Sequence, residues 1–289
     1  MSILEILEPE EKARLEIVCY IWEKLNDYLI NMLPKVTQNV GTDLEQRMTS
    51  WIMDYRRIQK KNILCLRTGD TPIDGISGIR HKIDNLMYIH EKDYAHGYLI
   101  ECKSLDIESL RSSLARGDFP KIGRKTIALL VLESFDVCPQ LLFKRHFYIN
   151  TKRNFCMLVT TKPLDYSALM LALSYGICVI QPDRVTYQIF VKKVEPETVL
   201  FDDILKKIPI YYPPEVLLKK LSESTKASKW NISLAFKIYK HLFSKSLERI
   251  SANFPQLANV FYSDLSKNKD TVEKISYLSI YLNSLNEAV

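Results

Sequence analysis

Two short stretches decide how this chain reads: GISGIRHKID at residues 75–84 and YLIECKS at residues 98–104. The second is an apolar run with charges set into it. Successive side chains of a strand face opposite ways, so Glu101 and Lys103 share one face while Ile100 and Cys102 share the other. The first stretch is a Gly-rich turn leading into a run that ends at Asp84. If the two close as a hairpin with Ile89 opposite Tyr98, Asp84 lies opposite Lys103 and Leu86 opposite Glu101, and Asp84 joins the charged face. Any register displaced by an even number of residues keeps that result, and a one-residue slip destroys it.

Two carboxylates and one ammonium on one face conflict, because Asp84 and Glu101 repel each other and Lys103 cannot neutralise both. A divalent cation resolves the conflict: Mg²⁺ or Mn²⁺ takes hard oxygen ligands, commonly one or two carboxylates with water and substrate phosphate completing the shell. A lysine beside it suits orienting a water or stabilising negative charge that develops on phosphate. Glu101 and Lys103 also suit a simple ion pair on an exposed sheet face, worth about 0.2–1 kcal/mol. The otherwise apolar YLIECKS favours the functional reading.

Outward from this centre, the spacing predicts an acidic amphipathic helix over residues 5–33. A second helix follows, in which Thr42 and Glu45 form a capping box ahead of Leu44, Met48, Trp51, Ile52 and Tyr55. ILCLRT, IRHKIDNLMYI and GYLIECKS read as strands, and SLDIESLRSSLARG as a helix ending at Gly117. TIALLVLES fits a buried helix or a strand equally. RNFCMLVTT, KPLDYSALMLALSYG and ICVIQP form a strand–helix–strand unit, with Gly176 at the helix end. YQIFVKKV reads as an added edge strand, and Pro209, Pro213 and Pro214 mark a linker before a helical remainder. This gives an N-terminal helical region over 1–40, a core over 41–208 and a basic helical domain over 209–289.

These motifs resemble the PD-(D/E)xK nuclease superfamily, in particular its Mrr-like and archaeal Holliday-junction-resolvase-like branches. There a Gly-rich loop precedes a metal-binding Asp, and E-x-K or Q-x-K lies on the next strand. MLVTTKPLDYSALMLALSYGICVI is similar to the strand, helix and strand that follow the active site in Mrr-like domains, so the resemblance covers about residues 42–182. It implies an α/β fold, a restriction-endonuclease-like mixed β-sheet flanked by helices, with helical N-terminal and C-terminal regions. It implies a metal-dependent nuclease acting on DNA, with Asp84 and Glu101 as metal ligands for Mg²⁺ or Mn²⁺, Lys103 as the catalytic lysine and Glu45 as the carboxylate of the preceding helix. Glu45 at the N3 position of its capping box is equally accounted for by that role. Many Mrr-like proteins carry a glutamine on the helix after E-x-K. No Gln lies between Lys103 and Cys138 here, and Arg111, Arg116 or Lys121 are candidates to contact phosphate instead.

The composition agrees without deciding. The chain has 289 residues, 47% hydrophobic and 26% charged, and a net charge of +6 permits a polyanionic partner without requiring one. Between residues 205 and 250, ten Lys and Arg stand against three Glu, and Lys219, Lys220, Lys226 and Lys229 are candidate backbone contacts, balanced by the reading of an ordinary solvated helix face. The six cysteines form no CxxC, which excludes zinc ribbons and fingers and suits buried reduced thiols. His81 is expected to be a packed or surface histidine on the face away from Asp84. No apolar run is long enough for a membrane span and no secretory leader is visible, so a cytoplasmic protein is expected, with dimerisation left open. The competing function is a nucleic-acid-binding or assembly protein that keeps the fold with lost or reduced cleavage. RNA stays open as a substrate.

Overall fold

A computed structural model of the chain describes residues 9–32, 40–67, 72–90, 95–143, 155–196, 217 and 229–253. Two helices come first, α1 (Pro9–Asn31) and α2 (Val40–Gln59), followed by strand β1 (Asn62–Arg67). A two-residue hairpin, β2 (Ile73–Asp74) with β3 (Arg80–His81), precedes β4 (Asn85–His90) and β5 (Ala95–Lys103). Helices α3 (Ile107–Ala115) and α4 (Arg124–Phe143) lead to β6 (Phe155–Thr160), α5 (Tyr166–Ser174), β7 (Cys178–Ile180) and α6 (Arg184–Val194). The last described helix is α7 (Lys229–Asn253).

The main sheet has five strands in the order β1-β4-β5-β6-β7. β1, β4 and β5 pair antiparallel, and β5, β6 and β7 pair parallel. The expected mixed α/β sheet flanked by helices is therefore what forms, with seven helices among the described residues. The sequence explains the change of hand. A short connection joins β4 to β5 as a hairpin, whereas α3 and α4 supply the long crossover that a parallel β5–β6 pair needs. All six residues of β6 are buried, as a central strand covered on both faces requires.

The β4–β5 register pairs Met87 with Tyr98 and Asn85 with Ile100. It is displaced by two residues from the expected pairing of Ile89 with Tyr98, so the faces are as expected and the partners are not. The position opposite Glu101 falls to Asp84.

One alternative left open is decided and two other expectations are corrected. TIALLVLES lies in α4, where burial of Ile127, Leu130, Val131 and Val137 leaves Leu129, Leu132 and Phe135 exposed, a helical and not a strand spacing. YQIFVKKV is not an edge strand but most of α6. Asp183 caps that helix by accepting from Thr186 N at 2.8 Å, and Tyr187, Phe190, Val191 and Val194 turn inward at helical spacing. α2 begins at Val40, so Thr42 lies within its first turn and is not its cap.

α1 and α7 pack into the same apolar core as the sheet. Trp22 Nε1 donates to Gln181 O at 3.1 Å, and Arg14 lies over the rings of Tyr98 and Phe155 at 5.3 and 5.4 Å. The expected domain boundary at 208–209 and the proline-rich linker lie outside the described residues, as do Lys219, Lys220 and Lys226; of Lys229 only the backbone is described. Cys102, Cys156 and Cys178 are buried and unbridged, and Cys19 is half-buried and unbridged. Among the described residues no helix is long and apolar enough to cross a membrane.

α7 is fastened by ion pairs to the core helices: Lys237 to Glu11 at 2.8 Å, Lys245 to Glu23 at 3.1 Å and Arg249 to Asp183 at 2.9 Å. Asp183 is fully buried, and burial pushes its carboxyl up despite Arg249. Arg249→Met strands that carboxylate, so a loss of roughly 2–4 kcal/mol is expected in denaturant titrations at neutral pH. The loss shrinks as acidification protonates Asp183.

Candidate active site

The geometry begins with a turn that glycine permits. Gly75 N donates to Ile79 O at 2.7 Å, closing the loop between β2 and β3, and Gly78 holds φ at +81°. Asp136 of α4 grips this loop: its carboxylate accepts from Ser77 N at 2.7 Å and from Ser77 Oγ at 2.6 Å. A Cβ on residue 75 would stand 2.0 Å from Asp136 Oδ2, so the grip requires glycine there. The Ser77 donors, with help from His81, hold the Asp136 carboxyl down at about 2.

His81 links the loop to the site. Its Nε2 lies 2.6 Å from Asp136 Oδ2 and its Nδ1 3.5 Å from Glu133 Oε1. It is thus half-buried between two carboxylates of α4, neither a surface residue nor a simple core one. The chain leaves β3, turns at Asp84 and enters β4.

Asp84 and Glu101 come together across the β4–β5 hairpin, as the face argument requires. Asp84 Oδ2 accepts from Cys102 N at 2.7 Å, which fixes its carboxylate against β5. Glu101 is 8% exposed, and its Oε1 accepts from Lys103 Nζ. Its Oε2 is buried with no hydrogen-bond partner. Burial pushes the Asp84 carboxyl up to about 7, reinforced by Glu101 and Glu45 and opposed by the Cys102 N–H and Lys103. Burial also raises Glu101, against the pull of its Lys103 partner, while Glu133 and Glu45 add repulsion. Burial alone would lower Lys103, but Glu101 and Asp84 together outweigh it and hold its ammonium above the ordinary lysine value.

Glu45 reaches this field from α2. Asn85 braces the two elements, accepting from Thr49 Oγ1 at 2.6 Å and donating to Glu45 O at 3.3 Å. All four residues singled out around the strand face, Glu45, Asp84, Glu101 and Lys103, are therefore within electrostatic reach of one another. The sequence reading missed Glu133, whose carboxyl burial also raises, and Asp136. The legible signal was two acids three apart in an apolar run, a spacing that shares a face only if the run is a helix.

The candidate phosphate contacts do not converge here. Arg111 pairs with Glu195 at 3.2 Å and Lys121 with Asp118 at 3.3 Å, while Arg116 is an exposed cap of α3.

Two raised carboxyls facing each other with one buried orphan oxygen suit a hard divalent cation. Among the described residues no three His, Cys, Asp or Glu side chains stand close enough to cage a metal. The fit is therefore to an ion that keeps most of its shell as water or substrate oxygen, as Mg²⁺ does.

Neither a protein-family model nor a curated protein matches the chain. Among solved structures it is similar to the DNA modification-dependent restriction endonuclease AspBHI, with 17% identity and a TM-score of 0.28, over 78% of this chain and 43% of that one. The chain spans less than half of that enzyme's length. So loose a superposition carries no argument about chemistry, and the architecture stands on its own strand order and pairing.

The raised Asp84 carboxyl has a consequence for stability. Its value in the fold, about 7, exceeds the ordinary 3.8, so the folded state holds the extra proton and stability falls as pH rises between about 4 and 7. Asp84→Asn removes that penalty and keeps an acceptor for Cys102 N. Without metal, it is expected to be more stable than the parent at pH 8, by on the order of 2 kcal/mol, and to converge with it near pH 4 in thermal melts. Gly75→Ala is expected to melt several degrees lower, because the new methyl must displace the Asp136 grip.

Proposed function

We propose that the chain is a metal-dependent nuclease of the PD-(D/E)xK type that hydrolyses phosphodiester bonds in DNA, using Mg²⁺ or Mn²⁺. One observation carries the reading: half-buried Asp84 and buried Glu101 face each other across the hairpin with Glu101 Oε2 unpartnered, and Lys103 stands on the same strand face. Two like charges placed together in a low dielectric cost stability unless a cation joins them.

In this reading Asp84 and Glu101 hold the cation, and the Cys102 N–H keeps Asp84 aimed. The bound ion would supply Lewis acidity toward a phosphoryl oxygen and a lowered pKa for its water. Lys103, charged at neutral pH, would orient the attacking water or stabilise the charge growing on phosphate. Glu45 adds negative charge behind Asp84. Glu133 holds His81, and His81 with Asp136 fixes the loop that delivers Asp84.

A second reading has its own support. The Lys103–Glu101 contact already neutralises one carboxylate without an ion, and the glutamine of many Mrr-like proteins is missing after E-x-K. Both favour a nucleic-acid-binding or assembly protein with lost or reduced cleavage.

Plasmid, linear duplex, single-stranded and branched DNA, together with RNA, incubated with Mg²⁺, Mn²⁺ or EDTA, separate the two. For the nuclease, cleavage is expected with either ion and none with EDTA. Asp84→Asn and Glu101→Gln lose both cleavage and the rise in melting temperature that millimolar Mn²⁺ gives the parent, whereas Lys103→Ala loses cleavage and keeps that rise. A parent that cuts nothing, or an Asp84→Asn that cuts at the parent rate, removes the nuclease reading.

A further inference from the structure

The last turn of α2, at the opposite end of the helix from Glu45, carries a feature that the candidate site does not use. A shallow depression of about 530 Å³ is lined by Met53, Asp54, Arg56, Arg57, Lys60 and Lys61. Arg56, Arg57 and Lys60 are exposed, and Arg57 meets Asp54 at 3.0 Å. Beyond the Arg57–Asp54 pair, the exposed cations Arg56 and Lys60 leave the groove positive.

The helix dipole favours a cation or two at a helix C-terminus. It does not explain four within six residues, which repel one another. Nor does it explain the backbone. Lys60 has φ of +49°, and among the described residues it is the one non-glycine residue in the left-handed region. That conformation crowds any Cβ, and glycine relieves it. The same chain uses glycine where only a helix end is needed: Gly117 after α3 and Gly176 after α5, with φ of +68° and +72°. At α2 a lysine stands in the strained position, so its charge is kept at a cost in stability.

Position supplies the partner. Arg56 lies eleven residues after Glu45, three helical turns and about 16 Å along the same flank of α2. Along a duplex that rises 3.4 Å per base pair, this is the axial rise of about five pairs.

We infer that the basic groove of Arg56, Arg57, Lys60 and Lys61 binds the phosphate backbone of duplex DNA, about half a helical turn from the bond presented to Asp84 and Glu101. The substrate class rests on the nuclease reading, whereas the groove rests on its own charge and strain. The contact is sequence-independent, and it positions the duplex along α2.

The test is fluorescence anisotropy of a labelled DNA duplex with the full chain in EDTA, so that no cleavage intervenes. Arg56→Glu with Lys60→Glu is expected to weaken binding about tenfold or more, and to flatten the slope of log affinity against log salt by about two. Lys60→Gly alone is expected to weaken it several-fold and lower the slope by about one, without lowering the melting temperature. A structural lysine would do the reverse, with affinity kept and melting temperature reduced, and that result overturns the proposal. So does unchanged affinity and slope in the double variant, a parent that does not bind duplex, or a groove that holds phosphatidylserine vesicles or polyglutamate more tightly than DNA. The two readings fail separately. If the double variant binds as the parent does while Asp84→Asn alone loses cleavage, the groove is wrong and the nuclease stands. If it loses affinity while the parent cuts nothing, the groove stands and the nuclease does not.

Discussion

The repulsion between Asp84 and Glu101 is the constraint around which the rest of this molecule is arranged. Two carboxylates that share a strand face inside a fold would normally part or be replaced, because burial raises both and Glu101 raises Asp84 further. Here every neighbouring element works to keep them in place. β4 and β5 set the register, the Cys102 N–H holds Asp84, Lys103 holds one oxygen of Glu101, and Asn85 ties β4 to α2. An unstable pair held so firmly is a stored demand for positive charge, and the proposed function rests on that demand.

Holding the pair falls largely to α4, through a relay of contacts that reaches it from outside the sheet. Asp136 grips Ser77 and touches His81, and His81 touches Glu133, whose charge is felt at Asp84 and Glu101. The Gly-rich turn is therefore a clamp and not a phosphate cradle: its Ser77 N–H is turned to a carboxylate of the same chain. A loop so held delivers Asp84 to the same position each time, which preorganised catalysis needs and an unbraced ten-residue loop would not give.

How much of this was legible follows from periodicity. The period of two along a strand put Asp84, Glu101 and Lys103 on one face even though the assumed register was two residues off, because a shift by two returns every side chain to its face. β6, α5 and β7 were legible for a different reason: a continuous apolar strand, a capped helix and Gly176 punctuate themselves. α4 was not, since six consecutive apolar residues carry no period, and only Glu133 and Asp136 at a spacing of three would have told helix from strand. α6 was misjudged because β-branched and aromatic residues suggest a strand, while the Asp183 cap and tertiary burial decided for a helix. Nothing in the sequence said that α2 begins before Thr42, which freed Glu45 from the role of a capping residue.

The same logic bears on where the net charge of +6 is spent. Sequence counting pointed to the C-terminal region, where ten Lys and Arg stand against three Glu between residues 205 and 250. In the fold, Lys237, Lys245 and Arg249 turn inward to Glu11, Glu23 and Asp183, and their positive charge fastens α7 to α1 and α6. Charge satisfied within a molecule adds little to the field felt by a partner, since each pair is close to neutral beyond about a Debye length, ~10 Å at moderate salt. What attracts a polyanion is charge left over after internal pairing, and at the end of α2 Arg56 and Lys60 remain beyond the Arg57–Asp54 pair. Density along a sequence locates basic residues; which of them face outward is settled by the acids that the fold brings to meet them.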